Sequence, residues 1–492
     1  MRLARANFFG APHFIEIAPP ALGMKLHRPR VSPDGYGYIG AIASATQTSI
    51  RGRSRIGSSK EVFQEDGNLM ASAHSNPTSD LLPDSAISDA YIYLLGRLLI
   101  TRQQQVDFDE EGFVWNELVH RKPGQVAWPN PNLDVAYSEA WVTIDEVSTL
   151  LVTVPEITGR YYTVEFINGW GETLANLNER CHPDHPNGLF AICFQGSDVE
   201  VPSGALRVDV PAKTMRVLLR VELGANWDEA IALQHQFNFE IWGKLQAPEI
   251  PRTVMFDMAH LPGVEAFESA ELAMQEKDLS PLDDMQAKVR AIVSEIADPE
   301  RRAEVDQIIR TKAQADFAAA APYIGRGWIR NGWARESCCG HWGTDWLTRT
   351  TVNYGGIWAN VMEEVVYYRG ALDKNLSWVE ADGTYSLTFP ADALPEKFAR
   401  YFWSIIAVDR QFRHVLPNPL ERYLLNKESG VVRSSDGSLT LYFGPAKPDD
   451  APDANWLPTG AGKPWSLTFR FYGPQGGVAD GTYYPPPLIR IA

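Results

Sequence analysis

Phe402-Trp403-Ser404, Asn418-Pro419-Leu420-Glu421-Arg422-Tyr423, Ser435-Asp436-Gly437-Ser438-Leu439, Asn455-Trp456-Leu457-Pro458 and Arg470-Phe471-Tyr472-Gly473-Pro474 follow one another through the C-terminal part of the chain. Alternating apolar runs separate them. Alternation at every second residue builds a strand with one face toward a core, and Pro, Gly, Asn and Asp at the breaks favour turns. The stretch therefore predicts a β domain with Asp, Asn, Arg and Trp at its turns and strand ends. Asp436-Gly437 reads as a hairpin turn, since Gly accepts the positive φ that such turns need. The domain begins at Thr384-Tyr385-Ser386-Leu387-Thr388-Phe389.

Upstream the same grammar recurs. Val142 to Ile144, Leu150 to Val154, Tyr161 to Phe166, Leu189 to Phe194 and Met215 to Val221 are strand-like runs separated by Gly, Pro, Asp and Asn, which predicts a second antiparallel β domain. One helix opens it: Asp84 and Ser85 suit a cap, and Ile87, Ala90, Tyr91, Leu94, Leu95 and Leu98 share a face as far as about Arg102. Trp227 to Trp242 predicts a short helix. Between about Gly263 and Pro322, Leu282, Met285, Val289, Ile292 and Ile296 recur at three- and four-residue steps, and Asp298-Pro299-Glu300 starts a further helix well. Gly325 to Trp346 is loop-like, and Asn353-Tyr354-Gly355-Gly356 leads into a helix predicted through Tyr367. The expected fold is mainly β with α (α+β): two antiparallel β-sandwich or jelly-roll-like domains, 80–245 and 351–492, around a helical insert and Gly/Trp-rich connector, 250–350.

A chain of 492 residues is too long for one ordinary core. The net charge of −16 argues against nucleic acid, whose phosphates such a surface repels. Residues 1–69 differ from the rest: nine Lys and Arg face five Asp and Glu there, and no apolar periodicity is sustained. Such a segment buries too little apolar surface to offset its ordering entropy, so disorder is expected, with Met70 as an alternative start of translation. Four cysteines give no disulfide framework, no apolar run reaches the roughly 20 residues of a membrane span, and no signal peptide is recognisable. A cytoplasmic location without membrane contact is the expectation.

Taken with their order, Asp382-Gly383, Phe402-Trp403-Ser404, Asn418 with Arg422-Tyr423, Asp436-Gly437-Ser438, Asn455-Trp456-Leu457-Pro458, Arg470 with Tyr472 and Pro474, and Gly481 with Pro485-Pro486 resemble one known family. These are bacterial proteins that pair two domains of unknown function, numbered 1254 on the N-terminal side and 1214 on the C-terminal side. Ala90-Tyr91, Pro131-Asn132-Leu133-Asp134-Val135-Ala136-Tyr137-Ser138 and Arg160-Tyr161-Tyr162 carry the N-terminal resemblance. Val135 replaces that family's usual Thr, and Glu179-Arg180-Cys181-His182-Pro183-Asp184-His185 replaces its Gly-rich stretch. The resemblance implies two β-sandwich, jelly-roll-like domains with attached helices, and no reaction.

Asn130, Asn132, Asp134 and Tyr137 beside Arg160 and Tyr161 admit two readings. Asn and Asp lock turns onto their own backbone, and Arg pairs with Asp; equally, Asp134 suits a general base or polar anchor, Arg160 a charge clamp, and Tyr137 or Tyr161 a proton donor. In the C-terminal half, Arg470 on a final strand needs a partner, for which Asp409, Glu421 or a ligand qualify. Asn455 stays open as a ligand contact, and Trp403 and Trp456 suit either a core or a sugar-stacking face. Cys181, His182 and His185, with Cys338, Cys339 and His341, are weak candidates for zinc, since their spacing fits no strong signature; no cofactor is expected. Glu363-Glu364 and Asp449-Asp450 read as solvated charges. Phosphate-loop, nucleophile-elbow, His-Glu-x-x-His and dinucleotide motifs are absent from the sequence. The expected function is that of an enzyme, hydrolysis first, acting on a small or sugar-like organic molecule between two β domains. A non-catalytic carbohydrate- or protein-binding module is the alternative, and association into a homo-oligomer is left open.

Overall fold

Strands dominate the computed structural model, which describes residues 81–124, 129–280 and 282–492; the expectations for 1–69 and Met70 lie outside them. The N-terminal β region contains β1 (Val119–His120), β2 (Val135–Thr143), β3 (Ser148–Val154), β4 (Tyr162–Ile167), β5 (Thr173–Leu177), β6 (Gly188–Phe194), β7 (Leu206–Val210), β8 (Thr214–Glu222) and β9 (Asn238–Gly243). They form a five-stranded sheet, β1-β2-β8-β4-β5, and a four-stranded sheet, β7-β6-β3-β9. The C-terminal region contains β10 (Trp328–Arg330), β11 (Trp333–Arg335), β12 (Val365–Gly370), β13 (Tyr385–Phe389), β14 (Ala399–Asp409), β15 (Leu424–Asn426), β16 (Leu439–Gly444), β17 (Trp456–Pro458), β18 (Trp465–Pro474) and β19 (Ile489–Arg490). Their sheets run β10-β11-β12-β18-β14-β15 and β17-β16-β13-β19. The mainly-β, α+β expectation holds. Two edge pairs, β6 with β7 and β16 with β17, are parallel, so the two four-stranded sheets are mixed.

Each pair of sheets closes on an apolar core. Ala136, Val164, Val217 and Leu219 from the five-stranded sheet meet Leu150, Val152, Phe190 and Ile192. In the second sandwich Trp403, Ile405, Phe469 and Phe471 meet Leu387, Phe389, Leu441 and Phe443. Period-two alternation accounts for both sets.

The alternate residues of the two large sheets are not solvated. Glu165, Arg220 and Glu222 of the first, and Ser404 and Arg470 of the second, are buried, because these faces pack against each other, while Arg216 is covered by the first helix, pairing with Asp107 at 3.0 Å. Val135 and Tyr161 there touch Val365, Phe402 and Tyr472. The sandwiches therefore meet through an aromatic and ionic layer, within one compact unit.

Several elements differ from the sequence reading. The first helix runs Asp84–Asp109, and its N-cap is Pro83, with no side-chain cap bond. Its face packs against the helices Asp283–Glu295 and Pro299–Ile308 through Val289, Ile292 and Val305. Asp298 caps as expected, accepting from Arg301 N at 2.8 Å. The helix from Trp227 ends at Gln234 and β9 follows. The helix Trp346–Gly356 stops where the predicted one began, and Val365-Val366-Tyr367-Tyr368 is strand, as β-branched and aromatic residues prefer. Among the described residues no helix is long and apolar enough to cross a membrane.

Candidate functional site

The loop before β2 is locked by the side chain of Asn132, whose Oδ1 accepts from Asp134 N at 2.8 Å. This is an Asx turn. Asn132 Nδ2 donates to Tyr472 Oη across the sandwich boundary. The turn delivers Asp134 to the start of β2, 5% exposed and facing the second sandwich. Asp134 Oδ1 accepts from Asn426 Nδ2 at 2.8 Å, while Oδ2 is buried with no hydrogen-bond partner. Burial pushes the Asp134 carboxyl up, against the downward pull of Ser404, Asn426 and Arg470, and the Glu222 charge adds to the rise. Ser404 is near enough to act on that equilibrium, yet its Oγ is also unpartnered. Arg470 Nη2 donates to the Asn130 carbonyl at 2.8 Å, and its Nη1 is the third unpartnered atom of this buried group. Native proteins leave few such atoms, because each costs roughly 1–3 kcal/mol.

Asp134 forms part of the wall of a cleft between the sandwiches of about 440 Å³. Leu133, Glu222 and Trp227 line it from one side, and Phe402, Asn426 and Lys427 from the other. Glu222 accepts from Tyr161 N at 3.0 Å and pairs with Lys427 Nζ at 2.6 Å. Trp227 leaves 47% of its surface exposed. With Glu421, Arg422 and Glu428 at its rim, the cleft combines four carboxylates, a carboxamide, an ammonium and a guanidinium group, and an indole.

Arg160 does not enter it. Its Nη1 donates to the Glu222 carbonyl and, at 2.8 Å, to that of Leu223, and its Nη2 meets Glu229 at 2.8 Å; it holds the loop that follows β8. Tyr137 lies beside Arg220, whose guanidinium is 5.6 Å from the ring centre. Tyr161 Oη donates to Glu364 at 3.0 Å. Trp403 sits in the second core. Asn455 Nδ2 donates to the carbonyls of Val432 and Thr440, and Trp456 Nε1 to that of Gly444, so both are tied to β16 and its surroundings, and neither lines the cleft.

Glu364, read as a solvated charge, is instead 1% exposed. It receives Arg180 at 2.6 Å, Tyr161 Oη and Asn178 Nδ2, because the residue before β12 lands in the layer between sandwiches. Of the zinc candidates, Cys181 is exposed, His182 lies edge-on to Phe190, and His185 Nε2 is 3.1 Å from the Leu189 carbonyl. Among the described residues no group of three or more His, Cys, Asp or Glu is placed to hold a metal. Glu222, Trp227, Asn426 and Lys427 escaped the sequence reading. A local signal existed for Asn426, whose side chain and Ser429 form a capping box.

Two stacked β-sandwiches joined through a polar layer, with a cleft at their boundary, define the class. Residues 115–240 match a protein family of unknown function, DUF1254, and residues 364–476 match another, DUF1214; the chain carries this pair in the order its motifs implied. No curated protein matches it. The crystal structure of the VPA0106 protein from Vibrio parahaemolyticus is similar over 83% of this chain and 100% of its own, at 19% identity and TM-score 0.56, which establishes likeness of fold. A putative uncharacterized protein from Burkholderia cenocepacia matches over 82% of this chain and 88% of its own, at 13% identity and TM-score 0.42.

Proposed function

We propose that the inter-sandwich cleft binds a small, neutral, hydroxylated organic molecule of sugar-like character, and that Asp134 exchanges a proton with it during hydrolysis. The observation that carries this reading is the Asp134 carboxyl, nearly fully buried and yet part of the wall of a cleft. Burial favours its neutral form, so Asp134 serves as general acid toward a leaving oxygen while water supplies the nucleophile. Glu222 and Asn426 offer polar contacts for hydroxyls, and the exposed Trp227 indole offers an apolar face. Arg160, tied to loop carbonyls, has a positioning role.

The test incubates the full chain with a panel of neutral glycosides, lactones and esters. Turnover of a panel member by the parent, with kcat lowered about 100-fold or more in Asp134→Asn, is expected. Parent-like turnover by that variant would remove Asp134 from the chemistry. Binding without turnover by the parent, read by thermal shift, would favour the non-catalytic carbohydrate module, which the exposed Trp227 also suits.

A further inference from the structure

A second polar site lies where the turn after β14 meets β12 and the helix Trp346–Gly356. Arg369 on β12 reaches the turn: its Nη2 is 3.5 Å from the Arg410 carbonyl and its Nη1 3.4 Å from that of Ala321. Both are at the long limit of hydrogen bonding, and its Nε is buried without a partner. The Arg410 guanidinium lies 4.7 Å from the Trp378 ring centre. Arg413 passes over Gly355 so closely that a Cβ there would fall 1.6 Å from its Nη1; only glycine leaves that space.

Among the described residues none of these three guanidiniums is in an ion pair, and neither Arg410 nor Arg413 donates a side-chain hydrogen bond. The nearby Asp409 carboxylate is engaged by the turn, accepting from Gln411 N at 3.1 Å and His414 N at 2.7 Å. Arg413 itself has φ of +61°, a conformation that long side chains rarely adopt. Asn130 N holds it there by donating to its carbonyl at 2.7 Å. Burial holds Arg369 down to about 9, and the charges of Arg413 and Arg410 push the same way. Like charges are thus gathered without a protein counter-charge that satisfies them.

We propose that Arg369, Arg410 and Arg413 form a binding site for the phosphate group of a small molecule, separate from the inter-sandwich cleft. Three guanidiniums beside one aspartate leave about two uncompensated positive charges, and planar guanidinium forks match phosphate oxygens. A dianion neutralises that excess, whereas a monoanionic carboxylate leaves part of it.

The experiment compares thermal shifts of the full chain in inorganic phosphate, sodium acetate and sodium chloride at equal ionic strength. Parent, Arg410→Gln, Arg413→Gln and Asp134→Asn proteins are used, with folding checked by circular dichroism. Phosphate is expected to raise the parent Tm beyond chloride, the extra rise to fall at least by half in each arginine variant, and Asp134→Asn to keep it. Arg410, the most solvent-facing of the three by burial, provides the reading if Arg413→Gln does not fold. A phosphate response no larger than that to chloride, or a full response in a folded arginine variant, overturns the site. A larger response to acetate overturns the dianion.

Discussion

At Asp134 the cost of burial and the proposed chemistry have the same origin. Its folded pKa is raised by burial, so the protonated form is favoured by folding, and the associated stability is lost as pH rises through the folded pKa. Asp134→Asn removes that titration while keeping an oxygen for Asn426 and adding an N–H that faces the unpartnered Ser404 hydroxyl. We expect the variant to be more stable than the parent by about 1–2 kcal/mol at about pH 8, with the gap closing as pH falls, measured by denaturant unfolding. A gap that widens on acidification would contradict the raised pKa. Asp134 was legible as a candidate because it stands in a strand-opening Asn-Leu-Asp run. Arg160, equally visible in sequence, differs only in where its side chain reaches, and no local pattern encodes that the carbonyls of Glu222 and Leu223 lie in its path.

Among elements, the large-sheet strands were the most readable, since alternation alone assigns Phe469 and Phe471 to one face and Arg470 to the other. The passage from Gly325 to Trp346 was not, because β10 and β11 are short and set by pairing, β10 with β11 and β11 with β12. Glu336, directly after β11, is 2% exposed and accepts from Tyr367 N at 3.4 Å. Burial pushes its carboxyl up to about 7, against the pull of backbone N–H groups and Arg335. A raised carboxyl favours the folded state below its pKa, so the parent Tm should fall as pH rises through about 7. Glu336→Gln should flatten that profile, which differential scanning calorimetry across the interval checks. An unchanged slope in the variant would assign the effect elsewhere. The helix predicted from Asn353 through Tyr367 failed for a related reason: Trp346–Gly356 already satisfies the helical segment, and Val365–Gly370 is captured by β18.

The whole molecule is tied together by the layer between its sandwiches. Arg180 lies between the rings of Tyr161 and Tyr401, 4.7 and 5.0 Å from their centres, and grips Glu364 from the far sandwich. Arg180 keeps Glu179 at 3.2 Å when Glu364 is removed, while Tyr161 Oη loses its acceptor, so Glu364→Ala should cost about 2–3 kcal/mol. Calorimetry should find one unfolding transition in the parent and a lowered or divided one in the variant. A parent-like transition would show that the layer contributes little to cohesion. Composition and motif order determined by themselves that the chain is a mainly-β, two-part protein pairing the two families, because alternation and turn chemistry act over a few residues. Only the tertiary structure decided that Glu364 is a buried anchor and that Asp134 shares a cleft wall with Glu222, Asn426 and Lys427. It also left Asn455 outside that cleft and brought Arg369 beside Arg410 and Arg413. Burial and charge partnership are set by which sheet faces meet, and side-chain alternation reports that a face is polar without saying whether water or another sheet will cover it.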